Sequence, residues 1–436
     1  MMYLIIFILS LPLIKYVITV NNFRKFPVTY GYFFGVYAFI IAGAFYSLDG
    51  DNPFYGGNLD STEFRIILLA LIFTFYIIKI FIEFGVKGGR DNQYQETINV
   101  LVFHKKKSLL FTYRLFLLLH VIYVSIYFYN ANYIQFVVEV FASTNASGII
   151  EARTNVVTGG TSNHIFVFYN LSIFLGLACL SLKDYLKFNK IQLIYFGLCC
   201  LVFFHKMPII FYIFSLWLFS VKNKRKLNIK NMVLIVIISI GIIFTFYIFY
   251  FSGRDINFYL IDMPYSILHR VVGVYSEAVA LAIKMAESND LYLGETFINP
   301  LNILDFTPVY LPEVLHIEFA GYPGAMVVPA VGEIFSNFGM LGALNYVFMI
   351  SLFVLLVDMT FLKMNLYSNL ATVFQVYFVY LAMKLSQASM FTSFFEPKNI
   401  VFILFFLFVY KLNEFILKRG LSDKNINAHK NSLIKE

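Results

Sequence analysis

Residues 252–338 bring Arg254, His269, Arg270, Glu277, His316, Glu318 and Glu333 into one stretch of an otherwise apolar chain. Such groups can do two kinds of chemistry. A guanidinium is a planar fork that takes phosphate oxygens bidentately. An imidazole that titrates near neutrality, or a carboxylate, takes a proton from a hydroxyl placed beside it. Arg153, in the sequence Glu151-Ala152-Arg153-Thr154-Asn155 ahead of Gly159-Gly160, invites the same anion-binding reading. Each also has a plainer explanation. Arg254 fits a snorkelling interfacial arginine, Arg153 an ion pair with Glu151, and His316 a satisfied interfacial histidine. Glu333 stands beside an apolar run, where an unpaired carboxylate is costly.

The local pattern suggests how these groups are held. Pro264 suits the first turn of a helix that runs to about Glu287. Ile267, Leu268, Val271, Val272, Tyr275, Val279, Ala282 and Ile283 form one apolar stripe at helical spacing. His269, Gly273, Ser276, Glu277 and Lys284 lie mostly on another face, with Arg270 at its edge. This predicts an amphipathic helix, either lying against a membrane or packed on a bundle. The following segment, with Pro300, Pro308, Pro312, Tyr322, Pro323 and Gly324, reads as a Pro/Gly-rich lid.

The chain that must position them has 436 residues, of which 60% are hydrophobic and only 13% charged. Soluble domains carry about a quarter charged residues, and the mean hydropathy here is +0.75. Apolar runs of about 20 residues recur, each long enough to span a bilayer. Backbone polar groups in lipid must be satisfied within the run, so the runs are predicted helices. The expectation is an all-α polytopic membrane protein, one integral domain over 1–436 with about eleven transmembrane helices. They fall near 3–20, 28–48, 66–86, 109–129, 165–182, 232–251, 340–359, 369–386 and 400–417. The run 191–221 is read as a hairpin of two short helices broken at His205-Lys206-Met207-Pro208, because basic residues flank it on both sides.

Lys/Arg-rich loops then alternate with acidic ones. The positive-inside rule puts the N-terminus outside and the C-terminus in the cytoplasm. Residues 49–65, 130–164 and 252–338 become extracytoplasmic, and 418–436 a polar, unstructured cytoplasmic tail. Arginines on the extracytoplasmic side have no orienting role, which favours a binding role. The first apolar run has no basic leader and no small-residue cleavage site, so it is expected to be a retained span. The net charge of +8 resides in loops between spans and points to orientation, not nucleic acid. Cys179, Cys199 and Cys200 have neither disulfide nor metal spacing. No metal or cofactor motif is present.

These features together resemble the O-antigen polymerase (Wzy-type) family of oligosaccharide repeat-unit polymerases. The resemblance lies in the many spans and the two larger arginine-bearing loops. It lies also in the hairpin with a basic residue before Met207-Pro208, and in Gly332-Glu333-Ile334-Phe335-Ser336-Asn337-Phe338-Gly339. It implies a glycosyltransferase of the bacterial cytoplasmic (inner) membrane that builds surface polysaccharide such as the O-antigen of lipopolysaccharide. The donor would be a glycan on a polyprenyl (undecaprenyl) pyrophosphate, joined on the periplasmic side to an incoming lipid-linked repeat unit. Arg153, Arg254 and Arg270 would hold the pyrophosphate, with His269, Tyr322 and Asn337 contributing to substrate binding. His316, or failing it Glu277 or Glu333, would be the base. Lipid-linked oligosaccharides and membrane lipid are the implied partners, with a chain-length regulator and a flippase nearby. An O-antigen ligase shares this architecture. A polysaccharide flippase or transporter is the reading from a different class, although no internal repeat is visible.

Overall fold

The structure is a computed structural model that describes residues 2–47, 59, 61–87, 99–130, 133–142, 162–201, 206–222, 262–269, 273–288, 291–296, 309–320, 327–363, 368–389 and 396–433, with single positions between 237 and 248. In chain order the described helices begin with α1 (Met2–Ile18), α2 (Val20–Lys25), α3 (Pro27–Gly35), α4 (Ala42–Tyr46), α5 (Thr62–Lys87), α6 (Asn99–Asn130), α7 (Tyr133–Ala142) and α8 (Ser162–Ser181). They continue as α9 (Asn189–Cys199), α10 (Lys206–Lys222), α11 (Met263–Leu268), α12 (Val274–Ser288), α13 (Leu311–Ala320), α14 (Ala330–Lys363), α15 (Ser368–Lys384) and α16 (Pro397–Leu433). A π-helical segment, Val36–Ile41, joins α3 to α4. No strand occurs among the described residues.

Five helical stretches are long and apolar enough to cross a membrane: Pro27–Tyr46, Thr62–Glu83, Lys105–Tyr129, Ala330–Leu362 and Lys398–Lys418. Shorter apolar helices cover Met2–Val17, Phe168–Ser181 and Pro208–Lys222. Leu4, Phe73, Leu118, Leu341 and Phe408 each expose more than half their surface. So many exposed apolar side chains suit contact with lipid and would be a liability in water. The chain is thus a helical membrane protein. The predicted run 191–221 is two helices, α9 and α10. The predicted span 232–251 lies mostly outside the described residues.

The chain divides into two compact units. The first comprises residues 1–91, 254–364 and 375–396. In it α14 is the axis on which α3, α5 and α12 pack. Pro27 occupies the first turn of α3, where a missing N–H costs nothing. The next two N–H groups are capped from far along the chain. Val28 N donates to Asp358 Oδ1 at 3.1 Å and Thr29 N to Asp358 Oδ2 at 2.8 Å. A buried carboxylate inside an apolar helix is thereby satisfied by orphan helix donors. Gly31 and Gly35 bring α3 against α15. A Cβ on Gly31 would lie 2.9 Å from the carbonyl oxygen of Val379, and one on Gly35 would lie 2.9 Å from that of Met383. This is the small-xxx-small approach of membrane helices.

One open alternative is decided and one expectation is corrected. In α12 every residue from Tyr275 to Ile283 is buried, Ser276 and Glu277 included, so this part of the segment 264–287 is not laid on a surface. Its polar face is taken up by neighbouring elements, so the packed alternative applies. The tail is not unstructured either, because α16 runs on to Leu433.

The second unit comprises residues 92–253, 365–374 and 397–436. There α16 lies along α6, and α8 packs on α9 and α10. Phe116, Phe174, Phe402 and Phe406 interlock, with ring centres 4.9–5.6 Å apart for Phe116–Phe406 and Phe174–Phe402. Ser108 Oγ donates to the Tyr410 carbonyl at 2.6 Å, and Asn413 Nδ2 to Thr112 Oγ1 at 3.0 Å, which pins α6 to α16.

Candidate active site

In the first unit, buried polar groups collect where α4 ends and α12 and α14 begin. Glu277 is fully buried, and His269 almost so. Their closest atoms, Nε2 and Oε1, are 3.0 Å apart. The approach is an ion-pair distance, not an aligned hydrogen bond. Apo sites commonly show such loose alignment. Ser47, just past α4, donates its hydroxyl to the same Oε1 at 3.2 Å. The Tyr46 ring lies 6.0 Å from the imidazole, tilted by 46°. Glu277 Oε2 is buried with no hydrogen-bond partner among the described residues.

Gly273 makes this geometry possible. A Cβ there would lie 2.9 Å from His269 Nδ1 and 3.0 Å from Ser47 Oγ. The imidazole therefore lies over a residue that must lack a side chain, and reaches past it to Glu277. An ionised carboxylate buried in apolar surroundings is unfavourable unless compensated. A histidine 3 Å away supplies either a cation or a proton donor.

A second polar layer is built on the start of α14. This helix is broken at Gly339, whose φ of 62° and ψ of −160° are not helical. The break leaves upstream carbonyls short of partners, and the loop 291–296 supplies them. Tyr292 N donates to the Ser336 carbonyl and Leu293 N to that of Asn337, both at 3.1 Å. Leu293 and Gly294 adopt positive φ to do so. Both amide hydrogens of Asn337 are occupied, on the Glu333 carbonyl at 2.8 Å and on Thr296 Oγ1 at 2.5 Å. Its Oδ1 accepts from Gly294 N at 2.8 Å. Asn337 therefore splices the break. Glu333, also buried, accepts from Ser389 Oγ at 2.9 Å. Gly332 lets α12 come close, since a Cβ there would be 3.3 Å from the Val279 Cα.

His316 is buried on α13. That helix packs Leu311 and Leu315 against Ala278, Leu281, Ala282 and Met285 of α12. Lys284 reaches back to it, with Nζ 5.3 Å from the Phe319 ring centre. Near the end of α12, burial and then the neighbouring Glu63, which also shares a hydrogen bond with it, raise the Glu287 carboxyl above its ordinary value of 4.5.

The predicted site residues thus separate. His269 and Glu277 touch, Glu333 and Asn337 stand one turn apart at the start of α14, and His316 sits on a third helix. Arg153, Arg254, Arg270 and Tyr322 lie outside the described residues. Ser47, Thr296 and Ser389 were not anticipated. Ser47 stands at the end of one predicted span and Ser389 follows another, and both of those span ends fall on the same side as residues 252–338, which was the available signal. No group of three or more His, Cys, Asp or Glu side chains is arranged to hold a metal among the described residues.

Fold and site define a helical membrane protein with a buried histidine–carboxylate pair at the end of a bundle. Comparison with protein-family models, curated proteins and solved structures returns no match to this chain.

Proposed function

We propose that the protein is a polyprenyl-pyrophosphate-dependent oligosaccharide polymerase, with Glu277 as general base. The observation that supports this most is the state of the Glu277 carboxylate. One oxygen faces His269 and Ser47, and the other is buried without a partner among the described residues. A carboxylate so oriented is placed to accept a proton from a hydroxyl that enters the site. The acceptor sugar would lose that proton to Glu277 as its oxygen attacks the anomeric carbon of the donor glycan. The bond from that carbon to the pyrophosphate breaks, and polyprenyl pyrophosphate leaves. The His269 imidazole stabilises the charge pattern on Glu277 as the proton moves. Arg153, Arg254 and Arg270 belong to this proposal as groups that balance the leaving pyrophosphate. The enzyme would work at the periplasmic face of a bacterial inner membrane, with about eleven spans in all.

The test is in vitro polymerisation of purified lipid-linked repeat units by the purified protein. Wild type should give a ladder of products, and Glu277→Gln only the starting unit. A ladder of normal length from Glu277→Gln overturns the assignment of the base. Transfer to lipid A–core without polymer growth identifies a ligase.

A transporter reading draws on one specific feature, the break of α14 at Gly339 beside buried Glu333. Discontinuous helices line substrate sites in many transporters. Accumulation of repeat units on the cytoplasmic face in a deletion strain selects this reading over the polymerase.

A further inference from the structure

The turn that ends α15 is fastened to the start of α14 at both of its ends. Ala330 N donates to the Leu385 carbonyl at 3.1 Å, and Ser389 Oγ donates to Glu333 Oε1 at 2.9 Å. Gln387 lies between these two fastenings, and its own N–H is held by the Lys384 carbonyl at 2.9 Å. Its side chain is only 4% exposed, yet Nε2 is buried with no hydrogen-bond partner among the described residues. Native structures keep few such donors, because each costs about 1–3 kcal/mol of lost hydration. Asn337, one turn beyond Glu333 on α14, cannot serve in its place, since both its amide hydrogens are used.

We propose that Gln387, Glu333 and Ser389 form a subsite for the hydroxyls of a neutral sugar ring in the lipid-linked repeat unit. The inference rests on the glycosyl-transfer reading for its substrate class. A sugar hydroxyl both donates and accepts. It can accept from an amide N–H while a neighbouring hydroxyl donates to a carboxylate. An amide and a hydroxyl on one turn, and a carboxylate on the helix end bonded to that turn, supply both halves of that recognition. Turn and helix are cross-bonded, so the layer is preorganised before ligand arrives. Gly332 brings the start of α14 against Val279 of α12, the helix that also carries Glu277.

The experiment compares wild type with Gln387→Leu. It reads thermal stability without ligand, then binding of radiolabelled polyprenyl-pyrophosphate-linked repeat unit and of sugar-free polyprenyl pyrophosphate, and finally turnover. The subsite requires an unchanged or higher melting temperature, because an unpartnered donor has been removed. It requires repeat-unit affinity to fall about five- to tenfold, with affinity for the sugar-free carrier unchanged. A lower melting temperature assigns Gln387 a structural partner and overturns the subsite. So does repeat-unit affinity equal to wild type, or an equal loss for both probes. Wild-type protein that binds the repeat unit through Gln387 but does not polymerise it keeps the subsite and sinks the polymerase reading.

Discussion

His269 reaches Glu277 across Gly273, eight residues along the chain, at 3.0 Å. Residues eight apart on a helix are separated by about 12 Å along the axis, and the imidazole spans that distance by lying over the glycine between them. The contact therefore depends on the absence of a side chain at position 273.

Gly273→Ala tests that dependence. The added methyl would meet His269 Nδ1 at 2.9 Å and Ser47 Oγ at 3.0 Å. The ring must swing away, and Ser47 must shift as well. Alanine favours helix by about 1 kcal/mol over glycine, which offsets part of the strain. The expected result is a melting temperature close to that of wild type with turnover reduced about tenfold or more. Wild-type turnover in Gly273→Ala would show that the His269–Glu277 contact is dispensable.

The spacing of this contact was legible in the sequence. His269, Gly273 and Glu277 recur every four residues, so they share one face of a helix. What the sequence hid was the surroundings of that face. Periodicity separates apolar from polar positions, but a polar face buried by other polar groups looks the same as one turned to water. Ser47 lies 230 residues from Glu277 and carries no local sign of pairing with it. Asp358 illustrates the same limit. Near the end of a predicted span it reads as a snorkelling charge, whereas it caps the start of a helix through Val28, 330 residues earlier. Gly31 and Gly35 did carry a readable spacing, yet nothing local identifies α15 as the helix they face.

Asp358→Ala should be among the more damaging changes outside the site. It leaves Val28 N and Thr29 N buried at a helix start without their acceptor. Loss of a cap costs about 1 kcal/mol, and each stranded buried donor adds about 1–3 kcal/mol. Asp358→Asn retains one acceptor oxygen and should recover about half of the loss. Unfolding in detergent would rank wild type above Asp358→Asn, and that above Asp358→Ala. Equal stabilities would mean that water replaces the carboxylate at no cost.

Gly35→Ala probes the link from α3 to the polar layer. Its methyl would press on the Met383 carbonyl at 2.9 Å and on Ser386 Oγ. The backbone cannot yield without moving the turn at 385–389, which carries Ser389 to Glu333. Overpacking of this kind costs about 1–3 kcal/mol. Alanine at position 35 should therefore lower both the melting temperature and repeat-unit affinity. Substitution of lipid-facing Leu341, which is 76% exposed, by alanine should change neither. A Gly35→Ala protein with normal affinity would separate the helix contact from the site.

Glu287 and Glu63 give the pH dependence a sign. Burial, the charge of Glu63 and the hydrogen bond between them raise the Glu287 carboxyl above 4.5. A carboxyl raised in the folded state contributes its stability below the ordinary value and loses it as pH climbs through the raised one. Protonated Glu287 shares a hydrogen bond with Glu63, whereas two ionised carboxylates repel. Glu287→Gln keeps the donor and removes the titration. Its melting temperature should match that of wild type in acid and exceed it by about one or two degrees above pH 6. The gap should shrink in high salt, because Glu287 is exposed and Glu63 only half-buried. Parallel melting curves from pH 4 to pH 8 would mean that the two carboxylates do not share a proton.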